Sequence, residues 1–172
     1  MLPMLEVDLL TVLAPGEVVH RQAREALRRQ GDVVLRPYFA VGRRIFPATR
    51  KETIAAARNT VKRLGNSPLA FFLDRDVVLP PGVIPALASA LEQNPRYGAL
   101  GVDYGPPQPS PAPHVAMGAV LFRREALERI TFRTAPRRCE CQCCCDDLRA
   151  LGYEIDYLPG WRAEHAKPPL PF

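Results

Sequence analysis

Short, wholly apolar runs alternate along this chain with stretches whose apolar residues recur at helical spacing. Val7–Leu13 (VDLLTVL) is such a run, closed by Ala14-Pro15-Gly16, and it predicts a buried strand. Over Val18–Gln30, Val19, Ala23, Ala26 and Leu27 share one side and Arg21, Arg24, Arg28 and Arg29 the other, with Gly31 as the stop. Val33–Arg36 predicts a second strand, halted by Pro37. Thr49-x-x-Glu52 has the form of a capping box and opens a helix over Lys51–Leu64, ended by Gly65. Leu69–Leu73 (LAFFL) predicts a third strand, Val83–Gln93 a third helix after Pro80-Pro81-Gly82, and Gly98–Val102 a fourth strand. A strand over Ala116–Phe122, helices over Glu125–Ile130 and Cys143–Leu151, and a strand over Glu154–Leu158 complete the pattern.

Fully apolar strands alternating with helices require a sheet covered on both faces. The expected class is therefore α/β, an open, mostly parallel, Rossmann-like sheet. Such sheets bind ligands at the carboxyl ends of their strands. The 172 residues, 47% of them hydrophobic, suffice for one compact domain over 1–172. Residues 1–103 would form its ligand-binding half, and 104–172 the remaining half with the tail. No apolar run is long enough to span a membrane, and MLPMLEVDLL reaches Glu6 and Asp8 without the basic start of a secretory signal. A cytoplasmic protein is expected.

The charge is uneven. Residues 1–63 hold 12 Lys+Arg against 6 Asp+Glu, and residues 64–172 hold 11 against 12. Twenty Arg outnumber three Lys, which suits bidentate recognition of phosphate. The aromatic residues are not interleaved with the Arg clusters, which argues against nucleic acid as the partner. Prolines number 19, roughly 11% against a usual ~5%, and gather in Pro80–Pro113 and Pro168–Pro171. The stretch Tyr104–Pro113 reads as a stiff surface loop.

Asp74-Arg75-Asp76 directly follows LAFFL. Two carboxylates at i and i+2, at the carboxyl end of a strand, can converge on one hard divalent cation. Such a cation bridges phosphate oxygens and stabilises a leaving diphosphate.

The segment AAARNTVKRLGNSPLAFFLDRDVVLPPGVIPALASALEQNP resembles the nucleotide-binding half of inverting family-2-type glycosyltransferases of the GT-A fold. MGAVLFRREALERITF resembles that family's strand, Arg-Arg pair and helix on the acceptor side. DLRALGYEIDYLPGWRAEH resembles its closing helix, Gly-Tyr turn, strand and terminal His. The resemblance runs in order over most of Leu9–His165. It implies that Asp76, assisted by Asp74 and by His165 as a third ligand, holds Mg2+ or Mn2+ on a nucleotide-diphosphate sugar. It also implies that Arg58 and Asn59 lie near the nucleotide. The expected function is sugar transfer to an acceptor with inversion at the anomeric carbon.

Three features depart from the family pattern. Strand one ends in Ala14-Pro15-Gly16-Glu17 rather than a polar nucleotide-binding stretch. Strand two runs into Arg36-Pro37-Tyr38 and the basic pair Arg43-Arg44 rather than an acidic residue. The chain is also short for this fold, the third departure. A further question concerns the base, for an inverting transfer needs a carboxylate to deprotonate the acceptor. The family places it in a Glu-Asp pair about a dozen residues before the glycine of the Gly-Tyr turn. Counting back from Gly152 reaches Glu140, with Cys141 in place of the Asp. Asp146 and Asp147 form the more obvious acidic pair, and a short deletion would bring them into place. They rank ahead of Glu140, which stays in contention.

All five cysteines lie between Cys139 and Cys145. Zinc on this cluster is conceivable but not favoured, because adjacent cysteines on one helix point in different directions. Cys141 and Cys145 are the pair expected to share a face. Two other readings remain: a non-catalytic module binding nucleotide or a partner, and a nucleotidyltransferase. The second would normally open on a Gly-rich, basic loop after strand one, which Ala14-Pro15-Gly16-Glu17 does not supply.

Overall fold

The computed structural model describes residues 4–106 and 109–166; the tail prolines Pro168–Pro171 lie outside that range, as do positions 107 and 108 of the Pro-rich loop. The elements are β1 (Leu5–Leu13), α1 (Arg21–Leu27), β2 (Val33–Val41), α2 (Arg50–Val61), β3 (Leu69–Leu73), β4 (Val77–Val78), α3 (Val83–Gln93), β5 (Tyr97–Asp103), β6 (Ala119–Arg123), α4 (Arg124–Glu128), α5 (Glu140–Ala150), β7 (Glu154–Arg162) and β8 (Glu164–His165). Six strands form one sheet in the order β2-β1-β3-β6-β5-β7. Its pairings are parallel except for those of β6, which runs antiparallel to both β3 and β5. β4 and β8 pair separately, Val77 opposite His165.

Alternation along each central strand feeds two cores. Leu10, Phe72 and Phe122 meet Ala57 and Val61 of α2, Leu127 of α4 and Leu148 of α5. Leu9, Phe71 and Leu121 meet Ala26 of α1 and Ile84, Leu87 and Leu91 of α3 on the opposite face. Consecutive side chains of a strand point to opposite faces, so LAFFL serves both layers. The expected mostly parallel sheet, covered on both faces, is the observed one.

Several boundaries differ from expectation. β2 runs through Pro37 to Val41, because β2 is an edge strand bonded only to β1, where a missing N–H is tolerated. α1 begins at Arg21 rather than Val18, with the Gln22 N–H donating to His20 Nδ1 at 3.3 Å. α5 begins three residues earlier than expected, after Cys139. Among the described residues, no helix is long and apolar enough to cross a membrane.

One charged cluster stabilises the amino end of the sheet. Asp8 of β1 is fully buried and accepts from Ser67 N–H and Ser67 Oγ, both at 2.8 Å, and from Arg124. Arg124 also donates to the carbonyls of Ser67 and Lys62. Arg123 donates to the carbonyl of Tyr97 at 2.9 Å. Because β6 is antiparallel, this Arg-Arg pair lies beside Leu69, the opposite end of β3 from Asp74. The expectation that it shapes the acceptor side is corrected: both guanidinium groups hold the scaffold.

Candidate active site

A cavity of about 550 Å³ opens at the carboxyl ends of β1, β2 and β3. Asp74, Arg75 and Asp76 form one wall, and Arg44, Arg50 and Arg58 contribute its positive charge. The local sequence explains this placement. β3 ends at Leu73; the Asp74 N–H still donates to the Gly118 carbonyl at 2.8 Å, and the Val77 N–H donates to the Asp74 carbonyl at 3.2 Å, closing a turn that carries the triplet out of the sheet. The capping box of Thr49 and Glu52 is formed, so α2 starts beside the cavity and carries Arg50 into its lining.

Each residue of the triplet has its own partner. Asp74 Oδ1 lies 3.3 Å from Arg58 Nη2. Arg75 pairs with Glu17 at 3.2 Å. Asp76 Oδ2 lies 3.9 Å from His165 Nδ1. The two-residue pairing of β4 with β8 sets that last approach, and the Ala166 N–H donates to the Asp76 carbonyl at 2.6 Å. The His165 ring also stands edge-on to Tyr104, with centroids 5.2 Å apart. The unusual loop after β1 has a local role, because Glu17 accepts the Ala14 N–H at 2.9 Å while holding Arg75.

Arg58 is buried beneath Asp74, near the rings of Phe72 and Phe132, and donates to the Met117 carbonyl at 3.2 Å. Burial works against its charge, but its anionic neighbours, Asp74 foremost, outweigh this and leave its pKa raised. Burial likewise raises the Asp74 carboxyl, while Arg58 opposes the rise. The Asp74 side chain keeps 42% of its surface exposed, so solvent tempers the effect. The backbone of Gly118 passes directly behind it: a Cβ there would lie 2.6 Å from Asp74 Oδ2.

These groups fit a hard divalent cation, since two carboxylates and an imidazole gather at one strand end beside an exposed cavity. Their donor atoms do not all fall within 4.8 Å of one another, and Asp74 turns one oxygen to Arg58. Asn59 is placed elsewhere. Its amide donates to the Phe132 carbonyl at 2.7 Å and accepts the Phe132 N–H at 2.9 Å, clamping the chain after α4. That commitment explains why adjacent residues of α2 part ways: Arg58 faces the site and Asn59 does not.

The three candidate bases also separate. Asp146 pairs with Arg138 and Asp147 with Arg133, the latter at 2.6 Å. Glu140 is buried at the first turn of α5 and raises the pKa of both Asp74 and Arg58 through its charge. Cys141 donates to Glu140 Oε1 at 3.3 Å. The cysteines do not act as one cluster. Cys143, Cys144 and Cys145 are buried, and Cys145 Sγ accepts the Val115 N–H at 3.4 Å rather than meeting Cys141. Cys141 Sγ instead lies within 4.8 Å of Cys139 Sγ, and their mutual influence lowers the Cys139 thiol and raises that of Cys141. Sequence reasoning missed Arg50, although its position just inside a capping box was the available signal. It also missed Tyr104, whose hydroxyl accepts the Gly118 N–H at 3.0 Å.

No curated protein sequence matches the chain. Among solved structures it is similar to the mannosyltransferase PcManGT from Pyrobaculum calidifontis in complex with GDP-Man and Mn2+, with TM-score 0.69 and 15% identity over 95% of this chain and 57% of that one. It is similar to S. aureus TarS in complex with UDP-GlcNAc, with TM-score 0.66 and 12% identity over 96% of this chain and 59% of that one. A197 from STIV is similar at TM-score 0.62 and 14% identity, over 96% of this chain and 87% of that one. The chain thus spans a little over half the length of the mannosyltransferase and TarS chains. Likeness at these identities establishes a shared GT-A fold. The sequence model of glycosyl transferase family 2 matches residues 33–145, from the start of β2 into α5. With that match spanning more than half of its length, the chain belongs to glycosyl transferase family 2.

Proposed function

We propose that this domain binds a nucleotide-diphosphate sugar in the cavity at the ends of β1, β2 and β3 and transfers the sugar, with inversion, to an acceptor hydroxyl. The observation that carries the reading is Asp74 and Asp76 together on the wall of a cavity lined by Arg44, Arg50 and Arg58, with His165 3.9 Å from Asp76. GDP-Man with Mn2+ and UDP-GlcNAc are the ligands of two proteins sharing the fold, and both belong to the proposed class.

Asp76 and His165, with Asp74 assisting, would hold Mg2+ or Mn2+. The bound cation would offset charge on the departing nucleoside diphosphate. Arg44 and Arg50 add positive charge where the phosphates would lie, and guanidinium groups suit phosphate oxygens. Arg58 holds Asp74 in place from below. In the transfer, the acceptor oxygen forms its bond to the anomeric carbon as the bond to diphosphate breaks, and the electron pair of that bond leaves with the diphosphate. The acceptor proton passes to a carboxylate. Glu140 is our choice, because it alone of the three candidate acids acts electrostatically on Asp74 and Arg58, whereas Asp146 and Asp147 are engaged by arginines.

A second reading, a binding domain without turnover, is favoured by Cys141 standing where the resemblance places an aspartate. Thermal-shift measurements with nucleoside diphosphates and their sugars, with and without Mn2+, test the binding. A ligand that binds only the folded state raises Tm with concentration. Release of nucleoside diphosphate on incubation with the stabilising sugar nucleotide separates the two readings. No Mn2+-dependent stabilisation by any of them would reject both.

A further inference from the structure

A second group of donor atoms lies apart from the aspartate triplet. Cys139 precedes the first turn of α5 with extended backbone, φ −83° and ψ 168°, so its sulfur is not bound to the direction of the helical residues that follow. Cys139 Sγ lies 3.4 Å from His114 Nε2, brought from the loop between β5 and β6. Cys141 Sγ completes the group, and the three donor atoms all fall within 4.8 Å of one another. Among the described residues this is the one triple of His, Cys or carboxylate groups gathered so closely. All three side chains are half-buried, neither sealed in the core nor free in solvent.

The spacing and chemistry select a metal class. Tetrahedral zinc, with bonds of about 2.3 Å to sulfur and about 2.0–2.1 Å to nitrogen, sets neighbouring donors about 3.5–3.8 Å apart. The His114–Cys139 separation of 3.4 Å is within about 0.1 Å of that range, and Cys141 needs to close by no more than about 1 Å. Two thiols and an imidazole favour borderline-soft metals over Mg2+ or Mn2+, which prefer oxygen. The site is thus chemically distinct from the one at Asp74 and Asp76. It also draws on two separate segments, as structural zinc sites do, and so avoids the difficulty that consecutive helical cysteines diverge.

We propose that His114, Cys139 and Cys141 bind one zinc-class divalent metal, clamping the loop between β5 and β6 to the start of α5. Three protein ligands leave one position of a tetrahedron for water or another oxygen donor. Glu140 Oε1 lies 3.3 Å from Cys141 Sγ, outside the group of three donors. The proposal does not depend on sugar transfer, since it concerns different residues and a different class of metal.

Cobalt titration of the full chain, reduced and stripped of metal under anaerobic conditions, tests it. A thiolate-to-cobalt charge-transfer band and intense tetrahedral visible bands should saturate at a single equivalent, and zinc should displace them. Both should persist in Asp76→Ala, because an oxygen site gives no such band. His114→Ala should weaken cobalt binding at least about tenfold, and Cys139→Ser combined with Cys141→Ser should abolish the band. Absence of the band in the wild type would overturn the proposal. So would a band that survives the double Cys variant, which would place the metal on Cys143–Cys145 or on unfolded chain. Should circular dichroism show the double variant unfolded, His114→Ala decides alone, and unchanged affinity there would overturn the site.

Discussion

Gly118 and Asp74 occupy nearly the same space, which makes a residue without functional groups of its own a control point for the site. The Asp74 N–H is held by the Gly118 carbonyl, and a Cβ on Gly118 would press against the Asp74 carboxylate. The same Cβ would press first on the Tyr104 hydroxyl, so Gly118→Ala should displace both Tyr104 and Asp74 and weaken Mn2+-dependent nucleotide binding by about tenfold, measured by calorimetry on protein whose circular dichroism is unchanged. The base assignment makes a sharper comparison. Glu140→Gln should retain nucleotide-sugar binding but lower transfer by about 10²–10⁴-fold, the usual cost of losing a positioned base. Asp146→Asn and Asp147→Asn should transfer at close to the wild-type rate, because each carboxylate serves an arginine on the outer side of α5. The opposite pattern in a single-turnover assay would return the role to the aspartate pair. The sequence favoured that pair because adjacent acids are conspicuous in a sequence, whereas the arginines that neutralise them, eight and fourteen residues away, are not.

β1 reads as an apolar run, yet it carries Asp8 into a fully buried position at the amino end of the sheet. Removing that carboxylate would leave Arg124 buried without its counter-charge and Ser67 without its acceptor. Breaking one partner of a buried pair typically costs about 3–5 kcal/mol, so Asp8→Ala should lower unfolding free energy by that order in urea. Asp8→Ala combined with Arg124→Met should recover part of the loss. The elements themselves were largely legible: β3, α3 and the capping box of α2 lie where apolar spacing and end signals put them. The misplacements have local causes. β2 passes Pro37 because nothing pairs with its outer edge. The start of α5 is masked because Cys139, with no side-chain capping bond, gives no recognisable start signal. Two-residue strands such as β4 and β8 have no periodicity to detect, so the bridge that carries His165 to Asp76 could be inferred only from the family resemblance.

Chain segments far apart in sequence meet around the cavity, namely the loop after β1, the start of α2 and the triplet after β3, while the strand pair β4–β8 brings His165 to Asp76. The placement of Asp-x-Asp at a strand end was readable from residue types alone. The separation of Arg58 from Asn59 was not, since it depends on how α2 rotates against the segment at Phe132. The sulfur and imidazole group at His114, Cys139 and Cys141 was hidden for the same reason, as His114 is 25 residues from Cys139. The account turns on Asp76. Isothermal titration of a nucleoside diphosphate in the presence of Mn2+, for wild type and Asp76→Ala, measures its contribution directly. The expected result is binding that needs Mn2+ in the wild type and falls by about 100-fold or more in Asp76→Ala, with Tm in the absence of ligand unchanged. Equal affinity of the two proteins, or wild-type binding indifferent to Mn2+, would contradict it.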